Sequence, residues 1–226
     1  MKRIVLILAV LFPLAAGAQT TCLNAFGTVG YDKVEKVYAT AGAVFSWQPG
    51  GSYVLKAGLM GDTATEFAAE LSAEYFFPLR SGHLLSVEPL VFSNIHVKYG
   101  IQEVSAAVLG GWSWKGRVGV KAGVMFKFIS PIGGEGSVVE PWNFAYSIEG
   151  WFLPARSRFN VGASLSTIED FVAERFYCPS VALQCRWAAT DRLCLYAKLR
   201  QHNSGIFDVA SNWFDTSLRI GALLLW

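Results

Sequence analysis

From Phe214 to Trp226 the chain alternates without a break. Trp226, Leu224, Ala222, Ile220 and Leu218 fall on one face, and Asp215, Ser217, Arg219 and Gly221 on the other. A period of two, apolar against polar, specifies a half-exposed β-strand. The same period recurs along the chain, and after residue 18 no run of about 18 uninterrupted apolar residues could form a spanning helix. Hydrophobic residues nevertheless make up 53% of the sequence. A chain this apolar, without such a helix, must hide its hydrophobicity in alternation. In lipid only a closed barrel satisfies the backbone of every strand.

About twelve alternating segments can be traced, with ten or fourteen as alternatives. They run near 23–31, 37–47, 53–60, 66–75, 85–91, 104–114, 117–128, 144–152, 159–166, 177–187, 193–200 and 214–226. The fourth is the clearest: Phe67, Ala69, Leu71, Ala73 and Tyr75 oppose Glu66, Glu70, Ser72 and Glu74. Pro89 and Pro179 interrupt their segments, since proline supplies no ladder donor, and Pro89 marks a candidate bulge. An even strand count puts both termini on one side, the periplasmic side of an outer membrane. Short links near 48–51, 78–82, 115–116, 154–157 and 188–192 then lie in the periplasm. Links near 32–36, 61–65, 94–101, 129–141, 169–175 and 201–212 become external loops. Aromatic residues collect at both sets of strand ends, as two interfacial girdles require. Trp47, Tyr53, Tyr75, Trp112, Trp114, Phe152, Phe159, Trp187 and Trp226 form one, and Tyr31, Phe67, Phe126, Phe128, Trp142, Phe144, Tyr177 and Phe214 the other.

An alternating final strand that ends on an aromatic residue resembles the C-terminal signature of bacterial outer-membrane β-barrels. The resemblance implies a single all-β, transmembrane, antiparallel up-and-down barrel surrounded by outer-membrane lipid, with Trp226 read by the barrel-assembly machinery. The other end agrees. Lys2 and Arg3, the apolar run Ile4 to Ala15 and Ala16-Gly17-Ala18 have the form of a secretory signal peptide, so residues 1–18 are expected to be removed and 19–226 to form the barrel. Lys2 and Arg3 account for the whole formal charge of +2, which leaves no basic surplus for nucleic acid. The four cysteines read as free thiols rather than a disulfide framework.

The polar face defines the candidate lumen. Glu66, Glu70, Glu74, Glu88, Glu103 and Glu149 point inward with Lys56, Arg117, Lys121, Lys127, Arg186, Lys198, Arg200 and Arg219. Acids gather on the fourth to sixth and eighth segments, bases on the seventh and tenth to twelfth. Internal pairing is the favoured role, with Lys56 opposite Glu70 in a simple hairpin, and solute selectivity the alternative. Phe26, Phe76, Leu84, Trp151, Leu223 and Leu225 point inward near the periplasmic ends and form a candidate constriction. His83, His96 and His202 are the only histidines. The Ser93-Asn94 and Asn203-Ser204 neighbourhoods are weak grounds for a barrel hydrolase. No spacing suggests zinc, calcium or another cofactor. The sequence therefore favours a narrow passive channel for ions or small solutes. The alternative is a filled, non-conducting barrel that anchors loops or partners. Oligomeric state is left open.

Overall fold

Backbone pairing around a ring organises the computed structural model, which describes residues 20–32, 36–50, 52–63, 66–152, 158–169, 171–173, 177–203 and 213–226. The proposed signal peptide lies outside these residues. The strands are β1 (Thr20–Asp32), β2 (Lys36–Gly50), β3 (Tyr53–Asp62), β4 (Glu66–Pro78), β5 (His83–His96), β6 (Ile101–Trp114) and β7 (Val118–Pro131). They continue with β8 (Val138–Phe152), β9 (Phe159–Ser166), the short pair β10 (Ile168–Glu169) and β11 (Val172–Ala173), β12 (Ser180–Ala188), β13 (Leu193–Asn203) and β14 (Trp213–Leu225). Twelve of them form one closed antiparallel barrel, each paired with its neighbours in sequence order, β12 following β9. β10 and β11 pair only with each other.

Closure occurs where β1 meets β14. The register runs from Cys22 opposite Leu225 to Asp32 opposite Asp215. Trp226 seals it: its N–H donates to the Thr21 carbonyl (3.0 Å) and its carbonyl accepts from the Thr21 N–H (2.9 Å). The expected alternation is the wall's two-sidedness. Val29, Leu59, Leu71, Val91, Val108, Val124, Ile148, Leu183, Leu199 and Ile220 all point out and are exposed. At the strand ends Tyr75, Trp112, Phe152, Phe159, Trp187 and Trp226 ring one rim, and Tyr31, Phe67, Phe126, Trp142 and Phe144 the other. Exposed apolar side chains over the whole outer wall are the reverse of a water-soluble surface.

The turns follow local chemistry. Trp114 accepts from the Arg117 N–H (2.9 Å), and the two residues between, Lys115 and Gly116, both have positive φ (49° and 64°). That handedness matches the twist of the flanking strands. Pro89 causes no bulge, contrary to the sequence expectation. β4 and β5 keep one register from Glu66–His96 to Pro78–Leu84, and only the Ala73–Pro89 and Glu74–Glu88 pairs drop out. The proline simply withholds one N–H from the Ala73 carbonyl. Pro179 lies before β12, where its carbonyl accepts from the Asn203 N–H (3.1 Å). None of the four cysteines is joined in a disulfide.

Restoring the missing donor should help. Pro89→Val is expected to stabilise the folded barrel by about 1 kcal/mol, one net hydrogen bond, read as a higher midpoint in urea titration. A lower midpoint would show that the proline ring relieves strain at this point of the wall.

Candidate functional site

Two stretches of the inward-facing wall at mid-height are apolar. On one side of the lumen Leu90, Phe92, Ala107, Leu109, Met125 and Ala145 form a buried apolar wall across β5 to β8. On the other, Phe26, Val44 and Ala68 do the same across β1, β2 and β4. A water-filled pore has no reason to line itself so. These walls face a piece of the chain itself.

β9 stops at Ser166, shorter than its neighbour β8, and the chain turns into the barrel. Thr167 makes the turn: its N–H donates to the Tyr146 carbonyl (2.9 Å), and its hydroxyl accepts from the Tyr146 N–H (3.0 Å). The β10–β11 hairpin then crosses the lumen. Ile168 packs against the β5–β8 wall. Phe171 is fully buried in the opposite cluster, its ring centroid 6.1 Å from that of Phe26. It reaches that depth over Gly58, where a Cβ would lie 2.8 Å from the Phe171 ring. Its positive φ (66°) costs strain that its neighbours must hold. They do so through the backbone: the Phe171 N–H donates to Glu70 Oε2 (2.9 Å), and its carbonyl accepts from Asn94 Nδ2 (3.0 Å).

A third anchor is ionic. Glu169 lies 3.1 Å from Lys198 and 3.6 Å from Arg200 on β13. Arg200 also pairs with Asp215 (2.5 Å), which accepts from the Tyr38 hydroxyl (2.9 Å). The hairpin is therefore fastened to the β1–β4, β5–β8 and β13–β14 sectors at once.

On the short-turn side of the hairpin the lumen opens again. A cavity of about 380 Å³ is lined by Lys56, Glu74, Phe76, Leu84, Glu88 and Lys121, among others. A second, about 280 Å³, is lined by Asn24, Glu149, Arg186, Tyr196, Lys198, Arg219 and Leu223, among others. Ser147, Glu149, Ile168 and Glu169 border both. In the first, Lys56 bridges Glu74 (3.3 Å) and Glu88 (3.1 Å), and Lys121 lies 2.7 Å from each. This alternating quartet spans β3, β4, β5 and β7. Lys121 passes over β6 because Gly111 leaves room: a Cβ there would lie 3.2 Å from the Lys121 Cγ.

Most of the charged residues read from the sequence lie on the lumen wall, several with partners other than expected. Lys56 faces Ser72, and Glu70 faces Gly58, so the two do not pair; Glu70 instead holds the hairpin. Lys127 pairs with Glu103 (3.2 Å) and Glu66 with His96 (3.1 Å), towards the long-loop mouth. Arg186 stacks on Trp151 (4.0 Å to the ring centroid) and Arg219 on Phe26 (4.2 Å). Arg117 is a correction: it sits exposed in the β6–β7 turn, because the turn runs one residue further than strand alternation alone suggests and β7 begins only at Val118. The expected constriction is corrected too. Phe76, Leu84 and Leu223 line open cavities, and Leu225 is exposed at a strand end. Of the six, Phe26 packs on Phe171 in the segment that crosses the lumen, and the link near 169–175, expected outside, supplies that segment.

Sequence reasoning missed Ile168, Glu169 and Phe171. A usable signal existed in Leu90-Val91-Phe92, Val108-Leu109 and Val124-Met125-Phe126, where both faces of a strand are apolar. A strand dry on both faces meets lipid outside and protein inside. Among the described residues the histidines assemble no hydrolytic row, and Ser204, beside His202, lies outside them. Ser180, His202 and Asp215 sit side by side in register, but Asp215 is taken by Arg200 and Tyr38.

No protein-family model and no curated protein sequence matches the chain. Solved structures do. A KdgM porin in complex with disordered oligogalacturonate aligns with a TM-score of 0.57 at 9% identity, covering 90% of this chain and 98% of that one. An outer-membrane channel from Pseudomonas putida gives 0.56 at 10% identity, covering 93% and 96%. An outer-membrane phospholipase A from Escherichia coli gives 0.51 at 11% identity, covering 94% and 92%. At such identities the likeness establishes the fold alone: a closed twelve-stranded β-barrel of the kind these outer-membrane proteins share.

Two substitutions test the hairpin's anchors. Phe171→Ala should cost about 3 kcal/mol as a buried large-to-small change. Glu169→Gln should cost about 2 kcal/mol, since it leaves Lys198 and Arg200 facing a lost charge. Urea midpoints that match the parent in both variants would mean that the hairpin carries no part of the fold.

Proposed function

We propose that the chain is an outer-membrane channel for ions or small polar solutes, narrowed at mid-height by the Ile168–Ala173 hairpin. One observation carries the reading: the lumen holds cavities of solute size bordered by charged side chains and is interrupted by a loop of the chain itself, rather than filled by wall side chains. A wall can close only by refolding, whereas a loop held at three points can shift. The porin-type fold supports transport at the level of architecture alone. The same reading places the apolar outer wall in the outer membrane with both termini periplasmic. It has residues 1–18 removed on export and Trp226 recognised during assembly.

Catalysis is not part of the proposal, because His96 is paired with Glu66 and Asp215 is committed to Arg200 and Tyr38. A second reading, the filled barrel, draws on the complete burial of Phe171 between the luminal walls.

Planar-bilayer recording separates the two, on samples shown to be folded by faster gel migration before boiling. The channel reading predicts small or infrequent steps from the parent chain, and larger or more frequent ones from Phe171→Ala and Glu169→Gln. Silence from the parent and both folded variants would establish the filled barrel.

A further inference from the structure

The short-turn rim carries an unusual charge. Arg80 lies in the β4–β5 turn, Lys115 and Arg117 in the β6–β7 turn, Arg158 before β9 and Arg192 before β13, and all five are exposed. Among the described residues of those turns the only acid is Asp191. At the opposite rim the exposed charges of the described links are one Lys98 and one Glu135. Among the described residues the excess of positive charge therefore belongs to one end of the barrel.

Its distribution says what it fits. The five cations come from four different turns spaced along the circumference, which makes them a ring around the barrel rather than a patch on one face. They project just beyond a ring of aromatic side chains, Trp47, Tyr53, Tyr75, Trp112, Trp114, Phe152, Phe159, Trp187 and Trp226. Such a ring marks the depth of lipid headgroups. Some cations are bound into this layer: the Lys115 ammonium lies 5.5 Å from the centroid of the Trp114 ring, and Arg158 Nη1 donates to the Ala189 carbonyl (3.3 Å). A circle of cations at headgroup depth is complementary to a plane of phosphates.

We propose that this rim binds the phosphate groups of anionic phospholipids in the leaflet it faces. The contact holds the barrel at a fixed depth and favours one direction of insertion. It is independent of whether the lumen conducts.

Tryptophan quenching by brominated lipid tests the proposal, because Trp47, Trp112, Trp114, Trp187 and Trp226 are five of the eight tryptophans and lie at this rim. The full chain is refolded into phosphatidylcholine vesicles containing either brominated phosphatidylglycerol or brominated phosphatidylcholine at equal mole fraction. Stronger quenching by the anionic lipid is expected, weakening as salt is raised. The preference should be lost when Arg80, Lys115, Arg117, Arg158 and Arg192 are all changed to glutamine, and kept in Lys98→Gln. Should the fivefold variant fail to fold, Arg80→Gln/Arg117→Gln is measured instead and should show a partial loss. Equal quenching by both lipids, or a preference that survives the neutralisation, overturns the proposal.

Discussion

A strand that faces lipid can satisfy its main-chain donors and acceptors only on neighbouring strands, because hydrocarbon offers nothing to replace water. Everything else in this barrel depends on that constraint. It requires closure, which β1 and β14 provide through the reciprocal Thr21–Trp226 hydrogen bonds. It allows apolar side chains to cover the outside, since lipid takes the place of a core. It also explains why a single proline matters: Pro89 leaves the Ala73 carbonyl without its ladder partner on a wall where water cannot substitute.

With the hydrophobic side turned outward, the lumen must find its own interior. The chain solves this with a hairpin. Ile168 and Phe171 supply the apolar contacts of an inner core, and Glu169 supplies an ion pair to β13. Luminal charges on the short-turn side pair across strands instead of facing an open channel, as in the Lys56, Glu74, Glu88 and Lys121 quartet. Such pairs specify register more surely than they add stability. The hairpin is held by Ile168, the Phe171 ring, two backbone hydrogen bonds and one carboxylate, contacts separate from the ladder that closes the wall.

The wall was legible in the sequence because alternation is local and each outward residue reports its own environment. Strand number, the side on which Glu66, Glu70, Glu74 and Glu88 project, and the two aromatic rims follow directly from a period of two. The luminal partners were less legible, because pairing depends on register. A two-residue offset between β3 and β4 moved Glu70 away from Lys56 and freed it for Phe171. The hairpin itself was hidden. Its six residues are too few to show a period, and a loop between β9 and β12 can go outward or inward with the same composition. Only the doubled apolar faces of β5, β6 and β7 recorded its presence, at positions where the lumen should have been wet.

Hydrogen–deuterium exchange of the folded chain tests most directly whether that hairpin lies inside the barrel. The Phe171 amide, bonded to Glu70 in a buried site, is predicted to exchange as slowly as amides of the flanking strands. The Lys98 and Gly133 amides in exposed links should exchange rapidly. Exchange of Phe171 at the rate of those links would place the hairpin outside and contradict the account.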